Sequence, residues 1–190
     1  GQDKNIGHEY FKDVVARYTE EDRQVIPTPW PNINELLMGG IGGGDFGLIF
    51  GSPGGGKSWT MVALGAHAIK LGMNVVHYTL ELSEGYVLKS SSNARDEKEK
   101  LDNTYISTKG LAKTLKIPIW SVSQVNRAGA NDDVIQGDKA AGSYNKMMIT
   151  DFCMSLSRLA QDKVNGTGRF FIMKNRYGMD GMTYHADMDA

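Results

Sequence analysis

Apolar positions along the chain fall into short blocks and helical stripes separated by glycine-rich or charged stretches. Residues 1–25 are mainly polar, with apolar Tyr10, Phe11, Val14, Val15 and Tyr18 among them. Their three- and four-residue spacing predicts a short amphipathic helix outside the main core, leaving 26–190 as the body of the domain. In "IPTPWPNINELLMGGI" the three prolines exclude a helix before Ile33, and one turn over Asn34–Met38, closed by Gly39–Gly40, is expected. "GLIFG" reads as a buried strand bounded by glycines. Lys57 to Leu71 reads as a helix that ends at Gly72, with Gly65 its only breaker. "NVVHYTLE", rich in β-branched and aromatic residues, predicts a second buried strand.

Further on, Leu101, Tyr105, Thr108, Ala112 and Leu115 share one face of a helix expected from about Glu97 to Leu115. Pro118 stops it, and "IPIWSVSQV" follows as a strand. "NRAGANDDVIQGDKAAGS" is a loop by composition. "ITDFCMSLSR" and "GRFFIMKN" read as strands, and "RYGMDGM" is a tight turn that joins the latter to "MTYHADM" as a hairpin. Strand–helix–strand alternation at the front predicts an α/β fold. Its sheet is expected to be mostly parallel and flanked by helices, with a C-terminal antiparallel hairpin at one edge. No internal repeat is present.

Composition narrows the class without naming it. The 190 residues, 41% hydrophobic and 23% charged, are the size of one soluble globular domain. Gly1 is not an initiator methionine, so a trimmed start is expected. There is no 18-residue apolar run and no signal-peptide pattern. The net charge of −1 argues against bulk electrostatic attraction to nucleic acid. It leaves room for a ring that places a few cations per subunit around a channel. A single cysteine, Cys153, excludes an internal disulfide and fits a reducing cytoplasm. Flanked by apolar residues in "DFCMSL", it reads as a core thiol rather than a nucleophile.

The candidate chemistry begins where glycine clusters. "MGGIGGGDFGLIFGSPGGGK" holds ten of the 23 glycines. "GSPGGGKS" matches G-x-x-x-x-G-K-[ST] through Gly51, Gly56, Lys57 and Ser58. Glycines let the backbone curl so that successive N–H groups face an anion. Gly51, Ser52, Pro53, Gly54, Gly55, Gly56, Lys57, Ser58 and Trp59 are therefore the expected nucleotide-binding segment. Lys57 would supply a point charge to the β- and γ-phosphates of ATP, and Ser58 a hydroxyl to Mg²⁺. Such a match arises by chance in a chain of this length roughly once in a hundred. Its place between a buried strand and a helix makes coincidence much rarer. The loop alone does not separate a motor from a kinase or a GTPase.

Three more stretches do. "GGGDFGLIFGSPGGGKS", "HYTLELSE", "SVSQVNR" and "MKNRYGMDG" occur in the order found in DnaB-like replicative helicases. From about residue 26 to 188 the chain resembles their C-terminal, RecA-type ATPase domain. The resemblance implies a RecA-like P-loop core and the following roles. Glu81 in "TLELS" would polarise the attacking water, while Glu84 reads as a helix-start acid or surface residue. Gln124 in "SVSQVNR" would sense the γ-phosphate, and Arg127 and Lys139, at the two ends of the following loop, would touch single-stranded DNA. Lys174 and Arg176, two apart, would point the same way on a strand and reach the nucleotide of a neighbouring subunit, the arginine as a finger. A homo-oligomer, most simply a hexamer, is implied, as is contact with a primase or helicase loader in a bacterial or phage-infected cytoplasm. The helix over 1–25 resembles a linker helix that hooks onto the next subunit. Among the tryptophans, Trp120 reads as core and Trp59 as packing; only Trp30, between two prolines, is a candidate to lie near an adenine.

The implied activity is ATP-driven DNA unwinding. The alternative is a RecA- or KaiC-like ATPase, of recombinase or loader type, that oligomerises or binds DNA without unwinding it. A monomeric P-loop kinase would need a lid and an acceptor pocket, and neither is legible.

One expected part is missing. Such a core places an apolar strand ending in an aspartate, the Walker B acid that holds Mg²⁺ through water, between Glu81 and Ile117. Between Ser83 and Lys116 the only apolar run is "YVL". Either metal binding has been lost, or a segment carrying that strand is absent near Tyr86–Leu88. The second is favoured, because "LKSSSNARDEKEKLDNTYISTKGLAKTLKIPIW" resembles the family's segment just after that acid.

Overall fold

The computed structural model describes residues 24–78, 94–125, 134–135 and 144–188, with the backbone alone for 94–101. The helix expected over 1–25 falls outside them up to residue 23, and so do the residues around 86–88.

The chain enters through β1 (Val25–Ile26) and α1 (Pro31–Leu36), then returns through β2 (Ile41–Gly42), which pairs antiparallel with β1. Helix α1 starts at Pro31, earlier than the prolines were expected to permit. Pro31 occupies the first helical turn, where its missing N–H has no intrahelical partner to lose. One side chain fastens this entry: the Asn34 side-chain carbonyl accepts from the Thr28 N–H at 2.6 Å, and its amide donates to the Thr28 main-chain carbonyl at 2.8 Å.

β3 (Phe46–Gly51) follows and leads into α2 (Lys57–Lys70). Beyond it lie α3 (Ala94–Leu115), β4 (Ile119–Gln124), α4 (Tyr144–Ile149) and β5 (Phe152–Ser157). The chain finishes with α5 (Ala160–Asn165), β6 (Thr167–Asn175) and β7 (Thr183–Asp187). The sheet order is β4-β3-β5-β6-β7. β4 and β5 pair parallel on either side of β3, while β5–β6 and β6–β7 are antiparallel. Among the described strands the sheet is thus mixed: a parallel half carrying the phosphate loop and an antiparallel half closing one edge, wider than the single hairpin expected.

Burial marks the centre. Every residue of β3 and of β5 is buried. On one face Ile49, Met154, Leu156, Phe170 and Ile172 pack with Ile33, Leu37 and Leu64. On the other, Phe46, Leu48, Phe50 and Cys153 pack with Tyr105 and Val125. Cys153 is the core thiol its neighbours implied, and burial pushes its ionisation far above the ordinary thiol range. Tyr105 and Ala112 face inward from α3 as expected, but Leu115 is 54% exposed, because it sits in the last turn beyond the reach of the sheet.

Two sequence expectations need correction. The predicted strand "NVVHYTLE" has no regular structure over its described part, Asn74–Tyr78, and its apolar side chains are exposed, Val76 at 76% and Tyr78 at 91%. High β-propensity reflects a fit to a pleated, half-buried surface, and no described strand adjoins these residues. The helices α4 and α5 were not foreseen. Each has only six residues, too few to show a helical period.

Candidate functional site

The phosphate loop joins the C-terminal end of β3 to the N-terminus of α2, as the strand–loop–helix reading requires. Its curl rests on specific backbone demands. Gly56 lies at φ 93°, a left-handed conformation that side chains rarely adopt, and Gly54 at φ 66°. A Cβ on Gly55 would come within 2.9 Å of the Ser52 carbonyl oxygen. The Gly55 N–H donates to that carbonyl at 3.0 Å, tightening the turn. The first turn of α2 is then secured by Thr60, whose N–H and hydroxyl both donate to the Gly56 carbonyl, at 2.9 and 3.0 Å.

Lys57 folds back over the loop, its ammonium donating to the carbonyls of Gly51 at 3.0 Å and Ser52 at 2.7 Å. These carbonyls stand in for the phosphate oxygens such a lysine meets in a nucleotide complex. Glycines that a Cβ would block, a lysine poised on oxygen acceptors and the positive end of a 14-residue helix together fit a nucleotide polyphosphate. Ser58 is exposed in the first turn of α2. No group of three or more acidic, histidine or cysteine side chains suited to a metal occurs among the described residues.

The sheet brings Gln124 to this loop. β3 and β4 run parallel with Gly51 directly opposite Gln124, and the Val125 N–H donates to the Gly51 carbonyl at 3.3 Å. Gln124 is exposed at the strand end, beside the first glycine of the loop. Glu81, Arg127 and Lys139 lie outside the described residues.

Lys174 and Arg176 lie at the other end of the sheet. β6 runs antiparallel to β5 with Asn175 opposite Phe152, beside the start of β3. A six-residue strand spans about 17 Å, so within one chain these cations are far from the phosphate loop. They also differ from one another. Lys174 donates to the carbonyls of Met147, Met148 and Thr150, at 2.8, 3.0 and 2.7 Å, and so caps the C-terminus of α4. Burial lowers its pKa against the opposing pull of Asp151 and Cys153. Arg176 lies just beyond the strand, in the turn, and bonds Asp151 through Nη1 at 2.9 Å, with 63% of its side chain exposed. Asp151 raises the guanidinium pKa further.

The rest of the motif shapes the turn. The Asn175 amide donates to the carbonyls of Leu36 at 2.8 Å and Met179 at 3.2 Å, and its oxygen accepts from the Tyr177 N–H at 3.0 Å. The Tyr177 hydroxyl donates to Asp45. Sequence reasoning overlooked Asp151 and Lys109. Asp151 has no motif around it, and only the fold sets Lys109 against it, 42 residues away in sequence.

The tryptophans serve packing. Trp120 is half-buried, edge-on to Phe152 at 6.0 Å between ring centroids, and its indole lies over Gly47, where a Cβ would come within 2.5 Å of the ring. Trp30 stands edge-on to Phe170 at 4.8 Å. With Trp59, His67, Tyr184 and Asp187 these two rings line a cavity of about 500 Å³ along the outer side of α2.

Loop and sheet together define the class by fold: a RecA-like α/β core in which a phosphate-loop motif joins a central strand to a helix. Among solved structures, the chain is similar to the ATPase domain of G40P, with a TM-score of 0.66 and 11% identity over 92% of each chain. It is similar also to a DnaB-like replicative helicase studied with its interactions with primase, with a TM-score of 0.66 and 12% identity over 95% of this chain and 64% of that one. The RadB recombinase matches with a TM-score of 0.50 and 14% identity over 82% of this chain and 92% of that one. No family model and no curated protein sequence matches. At these identities the likeness is one of fold, and the fold is that of the DnaB-like ATPase domain the motifs resemble. No helix among the described residues is long and apolar enough to cross a membrane.

Proposed function

We propose that the chain is the motor domain of a ring-shaped DNA helicase, a homo-oligomer and most simply a hexamer, that hydrolyses ATP to move along single-stranded DNA during replication. The observation that carries this reading is the division of the site across the sheet. The phosphate loop and Gln124 lie at one end, and the exposed guanidinium of Arg176 at the other. One chain therefore holds both halves of a nucleotide site that two copies complete head to tail, and a repeated heterologous contact closes into a ring.

In this mechanism Lys57 and the loop N–H groups bind the β- and γ-phosphates, and Ser58 would hold a Mg²⁺ that would supply further positive charge to them. Glu81 orients the attacking water, Gln124 reads the γ-phosphate, and the neighbour's Arg176 stabilises the charge that spreads over the transferred phosphoryl group. Lys174 holds α4 behind that arginine. Arg127 and Lys139 grip the DNA backbone, and a primase or loader binds the assembled ring in the cytoplasm.

Arg176→Ala should keep ATP binding and lose hydrolysis by roughly 10³-fold or more. Wild-type hydrolysis by the assembled variant would overturn the shared site. Displacement of a strand from forked DNA by the full-length protein with ATP is the expected activity. ATPase stimulated by single strands without displacement would favour a recombinase or loader instead.

We also infer that the natural protein carries a further strand, with the metal-holding acid, near residues 86–88. β4 supports this: it has no partner on its outer edge among the described residues, and it is half-exposed where its neighbour β3, and β5 beyond it, are buried throughout. An intact mass clearly above 20.9 kDa is expected for the natural protein, and a mass of 20.9 kDa would refute the added strand.

A further inference from the structure

Arg176 does not extend freely from its turn. Its main-chain N–H donates to the Asp151 carbonyl at 2.9 Å, and its Nη1 to the Asp151 carboxylate at the same distance. Asp151 is itself a junction. Its side chain is 3% exposed, and its carboxylate also accepts from the Phe46 N–H at 2.8 Å and from the Lys109 ammonium. The Asp151 N–H donates to the Phe46 carbonyl at 2.9 Å. One buried residue thus ties the first residue of β3, the middle of α3 and the turn after β6.

Two features of this junction go beyond stability. First, a guanidinium is a rigid planar fork of five donors. Engaging one of its nitrogens restricts the orientation of the whole rigid group, and the 63% exposure leaves the rest of the fork at the surface. Second, the carboxylate is shared. Two cations against one anion leave the trio at a net charge of +1, so the pairing orients Arg176 without cancelling its attraction for a phosphate. With Asp151 paired to Arg176 alone, the net charge would be zero.

The geometry points to Asp151 as the positioning residue of Arg176, holding the guanidinium ready for the nucleotide of a second copy, with Lys109 preserving its charge. This rests on the shared-site reading above. Preorganised charge costs no rearrangement at the moment of reaction, and misplacement by about 1 Å costs on the order of 10²-fold in rate.

The test uses Asp151→Asn in the full-length assembled protein. Binding of a non-hydrolysable ATP analogue should be unchanged, and kcat should fall by about 10- to 100-fold with little change in KM. The double variant with Arg176→Ala should be no slower than Arg176→Ala alone. Mixing provides the decisive arm. Lys57→Ala subunits cannot hydrolyse ATP but keep a well-placed Arg176, so adding them should restore turnover at the intact loops of Asp151→Asn subunits. Damage to the Asp151→Asn loop itself would not be restored.

Arg176→Ala active at wild-type rate overturns the shared site. Arg176→Ala inactive, with Asp151→Asn at wild-type kcat or unrescued by mixing, overturns the positioning role and leaves the shared site standing. Should Asp151→Asn fail to assemble, Lys109→Met replaces it, since it leaves Arg176 fully neutralised. The same loss of kcat and the same rescue are expected, and wild-type kcat in that variant overturns the proposal.

Discussion

Lys174 and Arg176 look alike in sequence, two cations two residues apart, and the structure gives them different work. The strand ends at Asn175, so the alternation that would point both the same way stops between them. Lys174 turns to three carbonyls of the α4 terminus. Lys174→Met should therefore lower stability by about 1–2 kcal/mol in the nucleotide-free protein, read by urea denaturation. No change in stability would show that the cap is idle. Asp151 carries a pH signature. Burial alone would raise its pKa, but the hydrogen bonds from Lys109, the Phe46 N–H and Arg176 outweigh burial and hold it below the usual carboxylate range. A carboxylate depressed in the folded state stabilises fully above its unfolded pKa of about 3.9 and loses that contribution as pH falls below it. Urea midpoints should therefore drop on acidification below about pH 4, and less steeply in Asp151→Asn; equal slopes would dissociate Asp151 from the acid transition.

At the scale of elements, β3 is the axis of the domain. Its first residue is fastened to Asp151 and its last opens the phosphate loop. Gly47 lets the Trp120 ring of β4 lie against it. Gly47→Ala should cost about 1–3 kcal/mol through this overlap, seen as a lowered denaturation midpoint without loss of the β3–β4 pairing. Cys153, the second residue of β5 and fully buried, should resist alkylation in the folded protein and react at the rate of unfolding. β3, α2, β4 and β6 were legible because each is long enough to show its period and ends at a glycine, proline or turn. The strand expected at "NVVHYTLE" was not realised over Asn74–Tyr78, since a strand needs a hydrogen-bonding neighbour as well as propensity. α1, with a proline in its first turn, and the six-residue helices α4 and α5 are set by local caps and tertiary contacts rather than by pattern.

For the whole molecule, the proposed function makes assembly a condition of activity, because the phosphate loop and Arg176 lie at opposite ends of the sheet. A non-hydrolysable ATP analogue should shift the full-length protein to a ring-sized species by light scattering, and the specific ATPase should rise with protein concentration. A monomer with full activity would be incompatible with the proposed function. The phosphate loop was determined by sequence alone, because the glycines, lysine and serine that make it are contiguous and their chemistry is local. The α/β class followed in the same way from short-range periodicity. Which end of the sheet each cation occupies, the capping role of Lys174 and the bonding of Asp151 to both Lys109 and Arg176 were decided only by the tertiary structure. Those contacts join residues 24 to 105 positions apart, and no local spacing encodes which buried carboxylate a distant cation will meet.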